Sequence, residues 1–220
     1  MIKLYGLGLS FNVSKVRYCL NHLNLKYEWV QTNPITGENR SPEYLSLSPT
    51  GKVPAIEIDG FRLFESNAIN RYLAVTHNSP LYPQDAQKRA VIDAWMDYAS
   101  IHVGHAVGRV LFNRVFAPMT GQKADEESVK VGIEFLDKYF PVLEKQLSQN
   151  PYLAGRDMSL ADINLLAILD PCELAQIKTI DKYPSLKKWR AGLKAQPFYQ
   201  KCYKDYTQFV MEAMNAKAGK

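Results

Sequence analysis

Gly51-Lys52-Val53-Pro54-Ala55-Ile56, and after a short gap Phe64-Glu65-Ser66-Asn67-Ala68-Ile69 running into Arg71-Tyr72-Leu73, is the stretch that decides the fold. A proline stands directly before a short apolar run. An acidic residue and a hydroxyl stand directly before a helical pattern. Asp59-Gly60 between them marks a tight turn. The stretch therefore reads as strand, hairpin turn, strand, helix. A strand that begins with proline leaves the backbone of the preceding residue free. A helix that begins with Glu65-Ser66 leaves amides and a hydroxyl free, so both halves point to a ligand site.

Upstream, Ile2 to Tyr5 alternates as a strand, and Gly6, Gly8 and Ser10 form a loop. Val13, Val16, Cys19, Leu20 and Leu23 then recur with helical spacing, with Lys15, Arg17, Asn21 and Asn24 on the opposite face. Tyr27 to Gln31 is a second strand, and strand-helix-strand in that order predicts a parallel unit with a right-handed crossover. Ser41-Pro42-Glu43 opens a short helix, with serine as cap and proline in the first turn. The order to residue 77 is β-α-β-α-β-β-α. Residues 78–85, with Ser79-Pro80 and Tyr82-Pro83, read as a linker.

After the linker the strand signals stop. Residues 86–117 read as one long helix weakened near Gly104 and Gly108. Residues 125–147 read as a second, kinked at Pro141. The third helix, 159–170, has a well-specified start, with Ser159 as cap and Asp162 three residues on. Tyr183-Pro184-Ser185 begins a helix through Lys194, Pro197 another through about residue 212, and 215–220 is expected to fray. The fold class expected is a small α+β domain over 1–77 followed by an all-helical one over 86–220.

The chain has 220 residues, 46% of them hydrophobic and 22% charged, an ordinary globular balance. The net charge of +5 is mild and scattered, which argues against a nucleic-acid partner. No apolar run is long enough for a membrane span, and the strand at the start leaves no room for a signal peptide. Cys19, Cys172 and Cys202 are sparse and unpaired by motif, which suggests a reducing cytoplasm.

Ser10 next to a helix N-terminus either caps that helix or donates a hydrogen bond to a bound thiolate, where aligned amides favour an anion. Val53-Pro54 is either an ordinary trans bond or a cis bond that offers the Val53 backbone to a peptide-like ligand as an added strand. Ser66 reads as the cap of its helix, with Glu65 beside it able to take an ammonium group. His102 and His105 suit a metal by spacing but lack a third ligand, so no metal site is expected. Cys19 lies on an apolar face and reads as core. Gly6 and Gly8 lack the third glycine of a phosphate loop.

Together these pieces resemble a cytosolic glutathione transferase of the serine, phi-like type. The resemblance is carried by Lys3-Leu4-Tyr5-Gly6 with Ser10, the Ser41-Pro42-Glu43-Tyr44-Leu45 helix, the 51–56 run, Glu65-Ser66-Asn67-Ala68-Ile69, and Leu153-Ala154-Gly155 with Ser159-Leu160-Ala161-Asp162. It implies a thioredoxin-like first domain, a cis Val53-Pro54 bond and a cytosolic homodimer. It implies no cofactor beyond glutathione as co-substrate. It also implies that Ser10, with Asn12 and Ser14 as rivals, activates glutathione. The tripeptide would lie on Val53, Pro54, Glu65 and Ser66, with its glycine carboxylate near Asn39, Arg40 and Lys52. A hydrophobic electrophile would meet Leu9, Phe11, Phe112, Phe116 and Met119. Asn39-Arg40 stand where phi-like enzymes commonly carry His-Lys, and Thr50 stands where many relatives carry an aromatic dimer key. Conjugation of glutathione to hydrophobic electrophiles is the function implied. A glutathione-dependent peroxidase and a non-catalytic binding or assembly module are the alternatives. Thiol-disulfide exchange would want a cysteine in place of Ser10.

Overall fold

The computed structural model describes the backbone of residues 1–204 and 206–218 and the side chains of 1–204 and 206–212. Strands β1 (Ile2–Gly6), β2 (Tyr27–Gln31), β3 (Ala55–Ile58) and β4 (Phe61–Phe64) form one sheet in the order β2-β1-β3-β4. β1 runs parallel to β2 and antiparallel to β3, and β3 pairs antiparallel with β4. The β3–β4 hairpin turns at Asp59 and Gly60, whose φ angles of 50° and 89° are what a two-residue hairpin needs. Helices α1 (Phe11–His22), α2 (Pro42–Leu47) and α3 (Ser66–Thr76) complete the order read from the sequence. This is a thioredoxin-like domain, and an all-helical region follows it.

The 78–85 segment is ordered by burial. Leu81 is nearly inaccessible, and its carbonyl accepts a hydrogen bond from the Leu160 amide. The long helix after it differs from expectation. It starts as α4 (Ala86–Asp97), passes through a π-helical turn at Tyr98–Val103, and continues as α5 (Gly104–Leu111). A second π turn at Phe112–Phe116 precedes α6 (Ala117–Met119). The irregularities are wide turns on either side of α5, where the sequence predicts a weakening near Gly104 and Gly108. π turns of this kind often mark functional sites.

Helix α7 (Glu126–Gln149) is capped by Asp125 and runs on through Pro141. Helix α8 (Leu160–Leu169) is buried on every side. Its exposed-end problem is solved by the expected capping box, Ser159 and Asp162 each serving the other's backbone. Asp162 also accepts from the Leu153 amide and the Trp189 indole, at 3.0 Å each. α8 thus forms the centre on which α1, α4 and α5 pack. Each fully buried Leu or Ile there contributes about 1.5–3 kcal/mol.

Helix α9 (Pro184–Lys194) is as expected. The helix expected from Pro197 to 212 is instead two, α10 (Pro197–Gln200) and α11 (Tyr206–Ala218). The chain turns after Gln200, with the Cys202 and Tyr203 amides both donating to Tyr199 O. Of the tail expected to fray, 215–218 continue α11 and 219–220 lie outside the described residues.

Candidate active site

Ser10 sits at the end of the β1–α1 loop, in extended conformation (φ −85°, ψ 118°) at the cap of α1. Its amide donates to Leu7 O and its carbonyl accepts from the Ser14 amide, both at 3.0 Å. Its side chain makes no capping hydrogen bond, so the hydroxyl is open to a ligand. Ser14, the nearby rival, is fully buried, and its hydroxyl is engaged with Tyr203 Oη at 3.2 Å and with Ser10 O at 3.3 Å.

Two tyrosines from nearly two hundred residues away hold this loop. Tyr203 Oη donates to Gly8 O at 2.8 Å, and Tyr206 Oη donates to Leu9 O at 2.7 Å. Arg17 donates to Tyr203 Oη at 2.8 Å and stacks on the rings of Tyr203 and Trp29, so it is not the free surface cation its spacing predicts. Gly8 admits the Phe209 ring so closely that a Cβ there would lie 2.9 Å from Cζ.

The Val53-Pro54 bond is cis. β3 begins only at Ala55, paired with Tyr5, which leaves Val53 beyond the ladder. The loop before it is held firmly. Asn39 Nδ2 donates to Gly51 O at 2.6 Å, and the hydroxyls of Tyr44 and Ser48 donate to Lys52 O at 2.7 and 3.0 Å. Gly51 has φ +63°, a left-handed conformation that suits glycine.

The start of α3 differs by one residue from expectation. Glu65, not Ser66, occupies the cap position, with φ +68° and ψ 110°, and Ser66 is the first helical residue. A left-handed φ at a non-glycine residue is strained by roughly 1–3 kcal/mol, and such strain clusters at ligand sites. Ser66 is buried yet lines the cleft, and Glu65 is exposed beside it. Asn67 is tied across to the helical region, its Nδ2 donating to Ser100 Oγ at 3.0 Å, and Asn164 Nδ2 donates to the same oxygen at 2.9 Å. Ser100 lies in the first π turn.

Two adjoining concavities result. One, of about 320 Å³, is lined by Phe11, Lys15, Val53, Pro54, Glu65, Ser66 and, from the helical region, His105. The other, of about 400 Å³, is lined by Ser10, Asn39, Arg40 and Gly51. Asn12, Lys52 and Val53 border both. The structure thus gathers Ser10, Asn39, Arg40, Lys52, Val53, Pro54, Glu65, Ser66 and Phe11 around one continuous groove.

Of the residues expected to form the hydrophobic wall, Phe11 lines the first concavity. Leu9 is buried, Phe112 is exposed on its helix, Phe116 and Met119 pack against the core, and none of the four lines either concavity. Phe112 and Phe116 fall in the second π turn, which rotates their faces relative to an α-helical reading. Arg114 is engaged with the carbonyls of Ala175 and Gln176.

The main residue the sequence reading missed is Lys15. Its spacing places it on the polar face of α1, yet it is 3% exposed. Burial pushes its ammonium down to about 7, an effect that Glu65 partly offsets. His105 and Asn67 also line the cleft unforeseen. Cys19 is core, its thiol pushed up to about 12 by burial. Among the described residues no group of three or more His, Cys, Asp or Glu side chains could hold a metal. No described helix is long and apolar enough to cross a membrane.

Residues 1–75 match the family model for the glutathione S-transferase N-terminal domain, and residues 107–197 the model for its C-terminal domain. The chain is 34% identical to glutathione S-transferase 1 of Zea mays over 91% of this chain and 94% of that one. It is 31% identical to glutathione S-transferase F13 of Arabidopsis thaliana, over 91% and 94%. A solved glutathione S-transferase-I bound with lactoylglutathione superposes with a TM-score of 0.85 at 33% identity, over 91% of this chain and 97% of that one. The maize enzyme in complex with an atrazine glutathione conjugate gives 0.84 at 33%, over 94% and 98%. The chain belongs to the glutathione S-transferase family, among relatives of the plant phi type. Its function is accordingly that of a transferase conjugating glutathione, and the comparisons favour this over the peroxidase and non-catalytic readings.

Proposed function

We propose that glutathione lies along the groove, with its cysteine backbone on Val53 and its sulfur at Ser10. The glycine carboxylate meets Arg40 and Lys52, and the γ-glutamyl end meets Glu65 and Ser66. The observation that carries this reading is the Ser10 hydroxyl, left uncommitted at the N-terminus of α1 and bordering the same groove as the Val53 backbone. A hydroxyl donating to a thiolate is worth about 1.5–3 kcal/mol, or about one to two pKa units. The free amides of the first turn of α1 add to it. The thiolate sulfur then forms a bond to an electrophilic carbon. A leaving group departs with its electron pair, or a conjugated system takes up the pair and a proton from water.

Asn39 supports the site from behind, because its amide nitrogen is already held by Gly51. Phe11 and His105 both line the cleft, and we assign the acceptor to that side. A hydrophobic electrophile fits the ring of Phe11, and Leu9, Phe116 and Met119 back the loop and helix from the core. The division into a glutathione-binding unit over 1–77 and a helical unit from 86 follows from this placement, and the free thiols of Cys19, Cys172 and Cys202 support a cytoplasmic location.

The protein acts as a homodimer in this reading. Trp95, Tyr98, His102, Phe135 and Tyr139 form a chain of ring contacts on one face of α4, the first π turn and α7, with His102 and Tyr139 centroids 5.2 Å apart. Phe135 in that chain is 36% exposed, and Ile101, next to His102 in the π turn, is 60% exposed. Such an apolar patch fits a second copy. Thr50 is exposed and replaces no part of this face.

Retention on immobilised glutathione, followed by assay against chloronitrobenzenes, epoxides, enones and hydroperoxides, tests the proposal. Retention with turnover of one or more carbon electrophiles is expected. Failure to bind glutathione would overturn the site assignment, and turnover of hydroperoxides alone would overturn the reaction.

A further inference from the structure

Among the described residues, the cleft holds an enclosed lysine that no protein group meets at hydrogen-bond distance. Lys15 lies one helical turn beyond Phe11 and is almost wholly inaccessible, yet it lines the cleft with Glu65, Ser66 and Asn67. Its Nζ stands 5.7 Å from the Phe11 ring centroid, and no hydrogen bond or ion pair engages it among the described residues. The same cleft holds an unmatched acceptor. Asn67 Oδ1 is buried without a partner, while its Nδ2 is fixed by Ser100. An unpaired ammonium on a largely enclosed lysine and a buried acceptor left unmet are each unfavourable, and native structures seldom keep them without reason.

A ligand carrying a carboxylate and an ammonium on one carbon answers both. Lys15 borders the concavity of Glu65 and Ser66 and not the one that holds Ser10, so its partner is the amino-acid end of the tripeptide, not the sulfur. We propose that Lys15 binds the α-carboxylate at the γ-glutamyl end of glutathione, and that Asn67 Oδ1 accepts from the α-ammonium alongside Glu65. This rests on the glutathione reading above and adds two ligand-contacting residues to it.

A consequence separates this role from simple support. The charged and titratable groups around Lys15 are Glu65 at the start of α3, Lys52 on the loop before β3 and His105 on α5. In the turn after α8, Asp170 is taken up by Tyr18 and Tyr199. With its ammonium held down to about 7, Lys15 is largely neutral in the free protein at pH 8. A carboxylate brought against it draws a proton on.

Titration calorimetry of the full-length protein with S-methylglutathione, whose sulfur cannot ionise, reads that proton. Measurements at pH 8 in two buffers of different ionisation enthalpy should show net uptake of a large fraction of a proton per site. Lys15→Met should weaken binding tenfold or more and abolish the uptake. Lys15→Arg should keep most of the affinity and also abolish the uptake, which guards against a Met variant that merely folds poorly. For the analogue lacking the α-carboxylate, Lys15→Met should make no further difference. For the analogue lacking the α-amino group, Asn67→Ala should make none. If wild type does not bind S-methylglutathione, the glutathione reading itself fails. If wild type binds but Lys15→Met matches it in affinity and proton uptake, Lys15 is not a ligand contact and this inference is overturned.

Discussion

The Tyr206 hydroxyl donates a 2.7 Å hydrogen bond to the carbonyl of Leu9, the residue immediately before Ser10. Tyr206→Phe leaves that buried carbonyl unmet, at a loss of about 1–3 kcal/mol. The urea midpoint should fall accordingly. Because the bond aims the loop that carries Ser10, the pH at which bound glutathione forms its thiolate, read by ultraviolet absorbance, should rise as well. A lower urea midpoint with an unmoved thiolate transition would show that Tyr206 only stabilises.

Ser10→Ala removes the donor assigned to the sulfur. The bound thiol should titrate about one to two units higher, from the strength of a hydrogen bond to a charged group. At pH 6.5 the turnover number should fall about 10- to 100-fold while KM for glutathione changes little. An unchanged thiol transition would remove Ser10 from its role.

Gly51→Ala adds a side chain at φ +63°, with its Cβ 2.8 Å from Arg40 Nη1 and 3.1 Å from Asn39 O. The backbone strain destabilises by about 1–3 kcal/mol. Arg40 must swing away from the groove, so glutathione affinity should drop several-fold, more than for Gly60→Ala, whose Cβ would meet nothing. Equal affinities for the two variants would dissociate Arg40 from the ligand.

Asp170 is completely enclosed, and burial pushes its carboxyl up to about 7 despite the Tyr18 and Tyr199 hydroxyls that favour the ionised form. An unfolded aspartate titrates near 3.9, approximately. Between those values the folded protein binds the extra proton, so this residue's contribution to stability declines as pH rises from about 4 to about 7. Asp170→Asn cannot titrate. The difference in urea midpoint, variant minus wild type, should therefore grow over that window and level off above it. A difference that is flat with pH would place the carboxyl's pKa near its ordinary value.

Ile101→Glu puts a charge on the exposed aromatic face assigned to the second copy. Sedimentation velocity should show a dimer for wild type and a monomer for the variant. A dimer in both cases would place the interface elsewhere.

The thioredoxin-like half was legible because its signals are local. The two-residue turn at Asp59-Gly60, the proline before β3 and the serine-proline start of α2 each act within a few residues. The capping box at Ser159 and Asp162 was legible for the same reason. Lys15 was not, because helical periodicity divides faces into polar and apolar but does not say what covers the polar one. Here α3 and the helical region close over it, with Asn70 donating to the Lys15 carbonyl. The π turns were hidden because a single widened turn leaves the apolar spacing nearly helical. Tyr203 and Tyr206 act on partners too distant in sequence for any spacing rule to connect them.

That distance has a temporal side. Chains are synthesised at about 5–20 residues per second, so Gly8 and Leu9 emerge roughly 10–40 s before the tyrosines that fasten them. The first strand, the first helix and even the whole β-sheet can be in place while the serine loop still lacks Tyr203 Oη and Tyr206 Oη. A nascent chain halted short of residue 203, or one clipped there by a protease, keeps every groove residue assigned to glutathione and loses the two hydroxyls that aim the nucleophile's partner. Translation of residues 203–206 is therefore the step at which the loop carrying Ser10 gains its two hydroxyl ties.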